Sequence, residues 1–218
     1  DDTLTGGGGA DNLTGGAGND TFNVNAGTDT ITDLTTGDIF VVSSSATANA
    51  TNISNFVATS STTNGGTANL STQASGGTIN MASAGGSASY SLTGGNGVDT
   101  LTGDGGDDTL TGGGGADNLT GGAGNDKYVY SQTSEAASGE VINDSGGTSD
   151  AVELTGSVDF VNMADANFDN IEKIIFAGSN LTATFKSSQL RGETVELNET
   201  ASGTSNLIIN AGAGSTID

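Results

Sequence analysis

The sequence predicts an all-β solenoid, a chain coiled into short stacked strands, and three observations carry that expectation. A nine-residue unit recurs without a gap from Gly94 to Val129. One position of the unit is always apolar and another is always Asp. A 20-residue stretch, DDTLTGGGGADNLTGGAGND, occurs twice, at 1–20 and at 107–126. A fixed short period marks an architecture in which each unit buries its apolar side only by stacking on the next.

With Gly94 as position one, the chain reads GGNGVDTLT, GDGGDDTLT, GGGGADNLT and GGAGNDKYV. The same frame near the start gives a tail, DDTLT, then GGGGADNLT and GGAGNDTFN, and two looser units, VNAGTDTIT and DLTTGDIFV, ending at Val41. Position eight is Leu4, Leu13, Phe22, Ile31 and Phe40, then Leu101, Leu110, Leu119 and Tyr128. Position six is Asp2, Asp11, Asp20, Asp29 and Asp38, then Asp99, Asp108, Asp117 and Asp126.

Positions seven to nine suit a three-residue strand whose centre points inward, flanked mostly by Thr and Asn facing water. Positions one to six must then turn the chain tightly, which glycine permits. Two units make one coil, so Asp residues eighteen apart are expected to stack about 4.8 Å from each other. Two unit charges at ~5 Å, with an effective dielectric near 20, repel by roughly 3 kcal/mol. A hard divalent cation reverses that sign, and Ca²⁺ accepts carboxylate and carbonyl oxygens in flexible geometry. The Asp ladder is therefore expected to bind several calcium ions.

The units resemble the GGxGxDxUx nonapeptide of RTX (repeats-in-toxin) proteins; between Gly94 and Val129 the departure is Asp104. The resemblance implies a right-handed parallel β-helix or β-roll with calcium held between same-side glycine loops. It implies ligand pairs Asp99 with Asp117, Asp108 with Asp126, Asp2 with Asp20, Asp11 with Asp29, and Asp20 with Asp38. The last two pairs involve loops that have lost several glycines. Asp1, Asp104 and Asp107 lie off position six and are expected to be solvated.

The chain is expected to divide into an RTX block at 1–42, a spacer at 43–93, a second RTX block at 94–130 and a calcium-poor β-helix at 131–218. Residues 43–93 carry no charge. Short apolar marks (Ile53, Phe56, Leu70, Ile79, Met81, Tyr90, Leu92) and the alternating pieces GTINMA and ASYSLT favour a wider calcium-free coil over disorder. Residues 131–218 hold all seven Glu and three of the four basic residues. Strands are expected at Ala151–Leu154, Asp159–Val161, Ile171–Phe176, Leu181–Phe185, Thr194–Leu197 and Leu207–Asn210, with a helical turn at Met163–Phe168. Lys173, Lys186 and Arg191 are expected to pair locally with Glu172, Glu193 or Glu196.

Composition limits the function. Acidic residues number 26 against 4 basic, a net charge of −22, which excludes nucleic acid as a partner and disfavours anionic membranes. Without Cys or His, the chain offers no disulfide, no Ser–His–acid triad and no His-ligated zinc. No apolar run is long enough to span a bilayer, and no pattern points to an enzyme.

The chain opens in mid-unit without an initiator Met, as an excerpt would. Asp1–Thr5 lacks its loop and Asn210–Asp218 ends on a Gly-rich turn, so end-to-end association or tandem modules are expected. The leading reading is a structural segment of an extracellular surface-layer, adhesin or fibre protein stiffened by Ca²⁺, with a cell-surface carbohydrate as a candidate partner. The other reading is a calcium-triggered folding and secretion module of a larger secreted hydrolase, epimerase or toxin. The resemblance places either at the surface of a Gram-negative bacterium or outside it.

Overall fold

The computed structural model describes residues 1–144, 146–164, 168, 170–190, 196–200 and 202–210. They form a parallel β-solenoid of about nine turns. One strand of each turn joins a ten-stranded ladder: Asn12–Leu13, Thr28–Ile31, Thr47–Ile53, Thr67–Thr72, Tyr90–Thr93, Thr109–Thr111, Lys127–Tyr130, Ala151–Leu154, Lys173–Phe176 and Glu196–Glu199. Three shorter ladders follow one another along the rest of the coil. The first holds Thr3–Thr5, Thr21–Val24, Ile39–Val42 and Thr63–Asn64. The second holds Asn55–Val57, Thr78–Asn80, Thr100–Thr102, Asn118–Thr120 and Val141–Ile142, and the third Val158–Asp159, Thr182–Lys186 and Asn206–Asn210.

The nonapeptide strands form as their alternation dictates. Thr100–Thr102 and Thr109–Thr111 bury only their central residue, and Leu101, Leu110 and Leu119 are fully buried. Like stacks on like, Leu101 on Leu119 and Leu110 on Tyr128. Each such side chain contributes roughly 1.5–3 kcal/mol on burial. The coil spans 18 residues, as the expected two-unit turn requires. Loop glycines allow that close stacking: Gly113 has φ +86°, and a Cβ there would lie 2.2 Å from Gly95 O.

The uncharged spacer is ordered and continues the long ladder. Thr47 pairs with Thr67, and Ala68 with Tyr90. Along the long ladder its buried side chains are Ala48, Ala50, Ala68 and Leu70, with Phe56, Ile79 and Met81 buried on the neighbouring face, and Asn69 Nδ2 donates to Asn49 Oδ1 at 2.9 Å on its outer side. GTINMA supplies the strand Thr78–Asn80 and ASYSLT the strand Tyr90–Thr93.

Beyond residue 130 the coil spans 22–25 residues, as the strand pairings across it show. Larger side chains fill it: Phe160 stacks on Phe185 with ring centroids 4.7 Å apart, and Tyr130 meets Phe160 edge-on at 5.2 Å. Ala151–Leu154 stands as expected, four other strands are shifted by one or two residues, and the described part of Thr194–Leu197 falls in the strand Glu196–Glu199. Val141–Ile142 and the 3-10 turn Thr133–Glu135 were not expected. Residues 165–167 of the turn expected at Met163–Phe168 lie outside the described residues, as do Arg191, Glu193 and 211–218.

The Lys pairing differs from expectation. Lys173 Nζ donates to Ser149 Oγ across the coil, not to the adjacent Glu172. Lys127 forms the ion pair instead, 2.9 Å from Glu153 Oε2. Half-exposed as it is, that pair is worth under about 1 kcal/mol.

Candidate metal centre

Each position-six Asp lies at the start of a strand, and the coil places five of them beside the same position one turn earlier. In these five, Oδ1 accepts the backbone N–H of that earlier residue. The distances are 2.7 Å for Asp2 N to Asp20, 3.1 Å for Asp11 N to Asp29 and 2.9 Å for Asp20 N to Asp38. They are 2.8 Å for both Asp99 N to Asp117 and Asp108 N to Asp126. All five pairs read from the sequence are neighbours, but the contact is carboxylate to amide rather than carboxylate to carboxylate. Such charge-assisted bonds are about twice as strong as neutral ones, and they anchor each side chain in the turn.

The second oxygen is treated differently from site to site. Asp99 Oδ2 accepts from Gly95 N at 2.8 Å, and Asp108 Oδ2 from Asp104 N at 2.9 Å. Asp38 Oδ2 accepts from Thr35 N and Oγ1 at 2.8 and 3.1 Å. Buried Oδ2 atoms of Asp11, Asp29, Asp117 and Asp126 have no hydrogen-bond partner. Asp2 is exposed and Asp11 half-buried, whereas the other seven position-six Asp residues are at most 2% exposed.

The motif's first glycine is explained by the same geometry. A Cβ on Gly103 would lie 2.0 Å from Asp108 Oδ2, on Gly112 2.5 Å from Asp117 Oδ2, and on Gly121 2.2 Å from Asp126 Oδ2. The carboxylate crosses directly over that α-carbon, where only hydrogen fits. Gly112 O and Gly121 O approach Gly94 and Gly103 from the next turn, on the same side as the Asp99 and Asp108 carboxylates.

The acidic columns run further than the nonapeptides. On one side Gly77 N donates to Asp99 Oδ1 at 2.7 Å, and Asp117 N to Glu140 Oε2 at 2.8 Å. On the other, Tyr90 N donates to Asp108 Oδ1 and Asp126 N to Asp150 Oδ1, both at 2.7 Å, and Asp150 N to Glu172 Oε2 at 2.9 Å. Sequence reasoning missed Glu140, Asp150 and Glu172. Each directly precedes a strand, as every position-six Asp except Asp29 does, and that signal could have found them. Irregular spacing and lost glycines hid it.

Asp104 also departs from expectation. It is buried, with Oδ1 accepting from Gly106 N at 2.9 Å and Oδ2 unpartnered. Asp1 and Asp107 are exposed and make the same bond in the two copies of the 20-residue stretch, accepting at 2.7 Å from Asn19 N and Asn125 N.

Burial sets the electrostatics. Desolvation pushes Asp108 and Asp126 up to about 7, Asp117 and Asp150 to about 6, and Glu140 to about 8. Amide donors pull each back in part, and neighbouring carboxylates push further up. Neither Lys127 nor Lys173 lies within ion-pair distance of a position-six Asp. Buried unpaired carboxylate oxygens among backbone carbonyls suit a hard, oxygen-seeking cation. Soft-metal sites need thiolate or imidazole, which this chain lacks.

A search of curated proteins and of solved structures returns no match. The family model of the RTX calcium-binding nonapeptide repeat matches four copies, over residues 1–31 and 93–128. Both matched segments fall on the glycine loops and carboxylate columns described above. The chain carries RTX calcium-binding nonapeptide repeats, built into an all-β parallel solenoid.

Proposed function

We propose that this chain is a calcium-folded, load-bearing segment of an extracellular structural protein, of the surface-layer, adhesin or fibre kind. Its ligands are the position-six residues Asp2, Asp11, Asp20, Asp29, Asp38, Asp99, Asp108, Asp117 and Asp126, with the intervening loop carbonyls. The observation that carries the reading is the unbroken ten-stranded ladder, which runs through both acidic blocks and the neutral spacer between them. A rod of this kind transmits tension along one continuous hydrogen-bonded face. Bound calcium supplies the positive charge that the columns lack, and the Asp side chains hold the loops in register for it.

The four segments proposed (1–42, 43–93, 94–130, 131–218) then have distinct roles. Two are calcium-dependent, and two are held by apolar packing alone or nearly so. Among the described residues no helix is long and apolar enough to cross a membrane, which is compatible with a secreted product. Among the described residues the outer edge of Thr3–Thr5 pairs with no strand, and a second copy of the chain would find an open edge there.

Negative-stain microscopy of the chain, with calcium and with chelator, tests the reading. Rods or filaments that appear only in calcium support it. Compact monomers in calcium that gain no length with concentration contradict the structural role and leave a folding or secretion accessory as the better account.

A further inference from the structure

Where the solenoid leaves the nonapeptides, a third carboxylate joins the column. Asp126, Asp144 and Asp150 each offer an oxygen, and these atoms all lie within 4.8 Å of one another. Their exposures are 1%, 4% and 0%. Oδ2 of Asp126 and of Asp150 are buried without a hydrogen-bond partner. Asp144 is held in place by donors: Tyr128 Oη at 2.9 Å to its Oδ2 and Gly146 N at 3.0 Å to its Oδ1. Gly147, at φ +77°, leaves open the space between Gly124 O and Asp150 Oδ2, which lie 2.1 and 2.4 Å from where its Cβ would stand.

We infer that Asp126, Asp144 and Asp150 form a further calcium site, outside the nonapeptide pattern, that fastens the last repeat coil to the wider solenoid. The matched repeats end at residue 128, so two of the three ligands belong to no repeat unit. Three buried carboxylates this close repel strongly unless neutralised. Asp150 has already spent its Oδ1 on Asp126 N, which leaves Oδ2 for a ligand. Carboxylates with a facing carbonyl are the donor set calcium prefers, whereas Mg²⁺ demands a tight octahedral shell and gives up its waters reluctantly. The site joins Lys127–Tyr130 to Ala151–Leu154, where the coil lengthens from 18 to 24 residues. It thus secures a junction where an 18-residue coil gives way to a wider one.

The inference rests on the calcium reading above, and its test separates the two. Bound calcium per chain is counted by equilibrium dialysis for wild type, Asp144→Asn and Asp150→Asn, with circular dichroism verifying the fold in calcium. The expected result is one ion fewer in each variant, with the other ions kept. An unchanged count and affinity in folded variants overturns the site, because a purely structural Asp144 would leave both unmoved. Should both variants fail to fold, terbium-loaded wild-type crystals decide by anomalous diffraction. A peak against Asp144 and Asp150 sustains the site, and peaks confined to the nonapeptide loops overturn it. A wild type that binds no ion would defeat the whole calcium account, not this site alone.

Discussion

Ala48 stands directly beside Asp29 in the long ladder, as its partner one coil on. Ala68 then pairs with Ala48, and Tyr90 with Ala68, before Asp108 restores the acid by accepting from Tyr90 N. The spacer therefore keeps the register of the column and removes its charge. Ala48 packs around the same small apolar space as Ile31, Phe40, Ala50 and Leu70.

Asp placed there would be buried among apolar side chains without the glycine loop that serves Asp29. Ala48→Asp should destabilise the fold in calcium by about 3 kcal/mol or more, and added calcium should not recover it. Thermal denaturation at saturating and tenfold higher calcium checks both statements. Full recovery by calcium would mean that an Asp in this register makes a site without its loop.

Much of this was legible in the sequence, and the limits are informative. The nonapeptide frame located Leu101, Leu110 and Leu119 in the core and paired Asp99 with Asp117, because an 18-residue coil with two glycine loops has one way to stack. The frame could not show that the Asp bonds to an amide rather than to another Asp, since that depends on where the loop turns. Glu140 and Asp150 escaped it because coils of 23 and 24 residues break the period. In that wider section Phe160 and Phe185 set the coil size, and their stacking has no signature at a fixed spacing.

The two loop types should differ in calcium binding. Asp117 has a buried Oδ2 without a partner, whereas both oxygens of Asp38 are taken up by protein donors. The sequence ranked Asp29 with Asp38 as occupying degraded loops, yet Asp29 is 0% exposed with an orphan Oδ2. Asp117→Asn should therefore weaken calcium binding more than Asp38→Asn does. Titration calorimetry distinguishes them; equal losses would show that Oδ2 satisfaction does not govern binding.

Where the carboxylate crosses the first glycine of a complete loop, that glycine should be required for steric reasons alone. Gly121→Ala drives a Cβ to 2.2 Å from Asp126 Oδ2, with 2.6 Å to its Cγ. Displacing that carboxylate should cost roughly 1–3 kcal/mol and weaken calcium affinity at least about tenfold. Gly8→Ala, with nothing within 4 Å of its Cβ, is the control and should be near neutral. Comparable losses in both would point to backbone entropy rather than carboxylate crowding.

Without calcium, stability should fall as pH rises. Asp117 and Asp150 titrate near 6, Asp108 and Asp126 near 7 and Glu140 near 8 in the folded chain, all above their ordinary values of 3.8 or 4.5. Between about pH 4 and pH 8 the folded state thus binds more protons than the unfolded one, and each step upward favours unfolding. Calcium affinity moves the other way, since proton and metal compete for the same oxygens. Melts of exhaustively dialysed protein across this range check the sign. Stability that climbs with pH in the absence of calcium would contradict the burial of these carboxylates.

The central claim is that the acidic columns hold the fold only when calcium neutralises them, so that metal binding and folding are one equilibrium. Far-ultraviolet circular dichroism of the whole chain near neutral pH, titrated from chelator into millimolar calcium, measures this directly. The account predicts a largely disordered spectrum in chelator, a cooperative change to a β spectrum as calcium rises, and little response to magnesium. An identical β spectrum at both ends of the titration would contradict it.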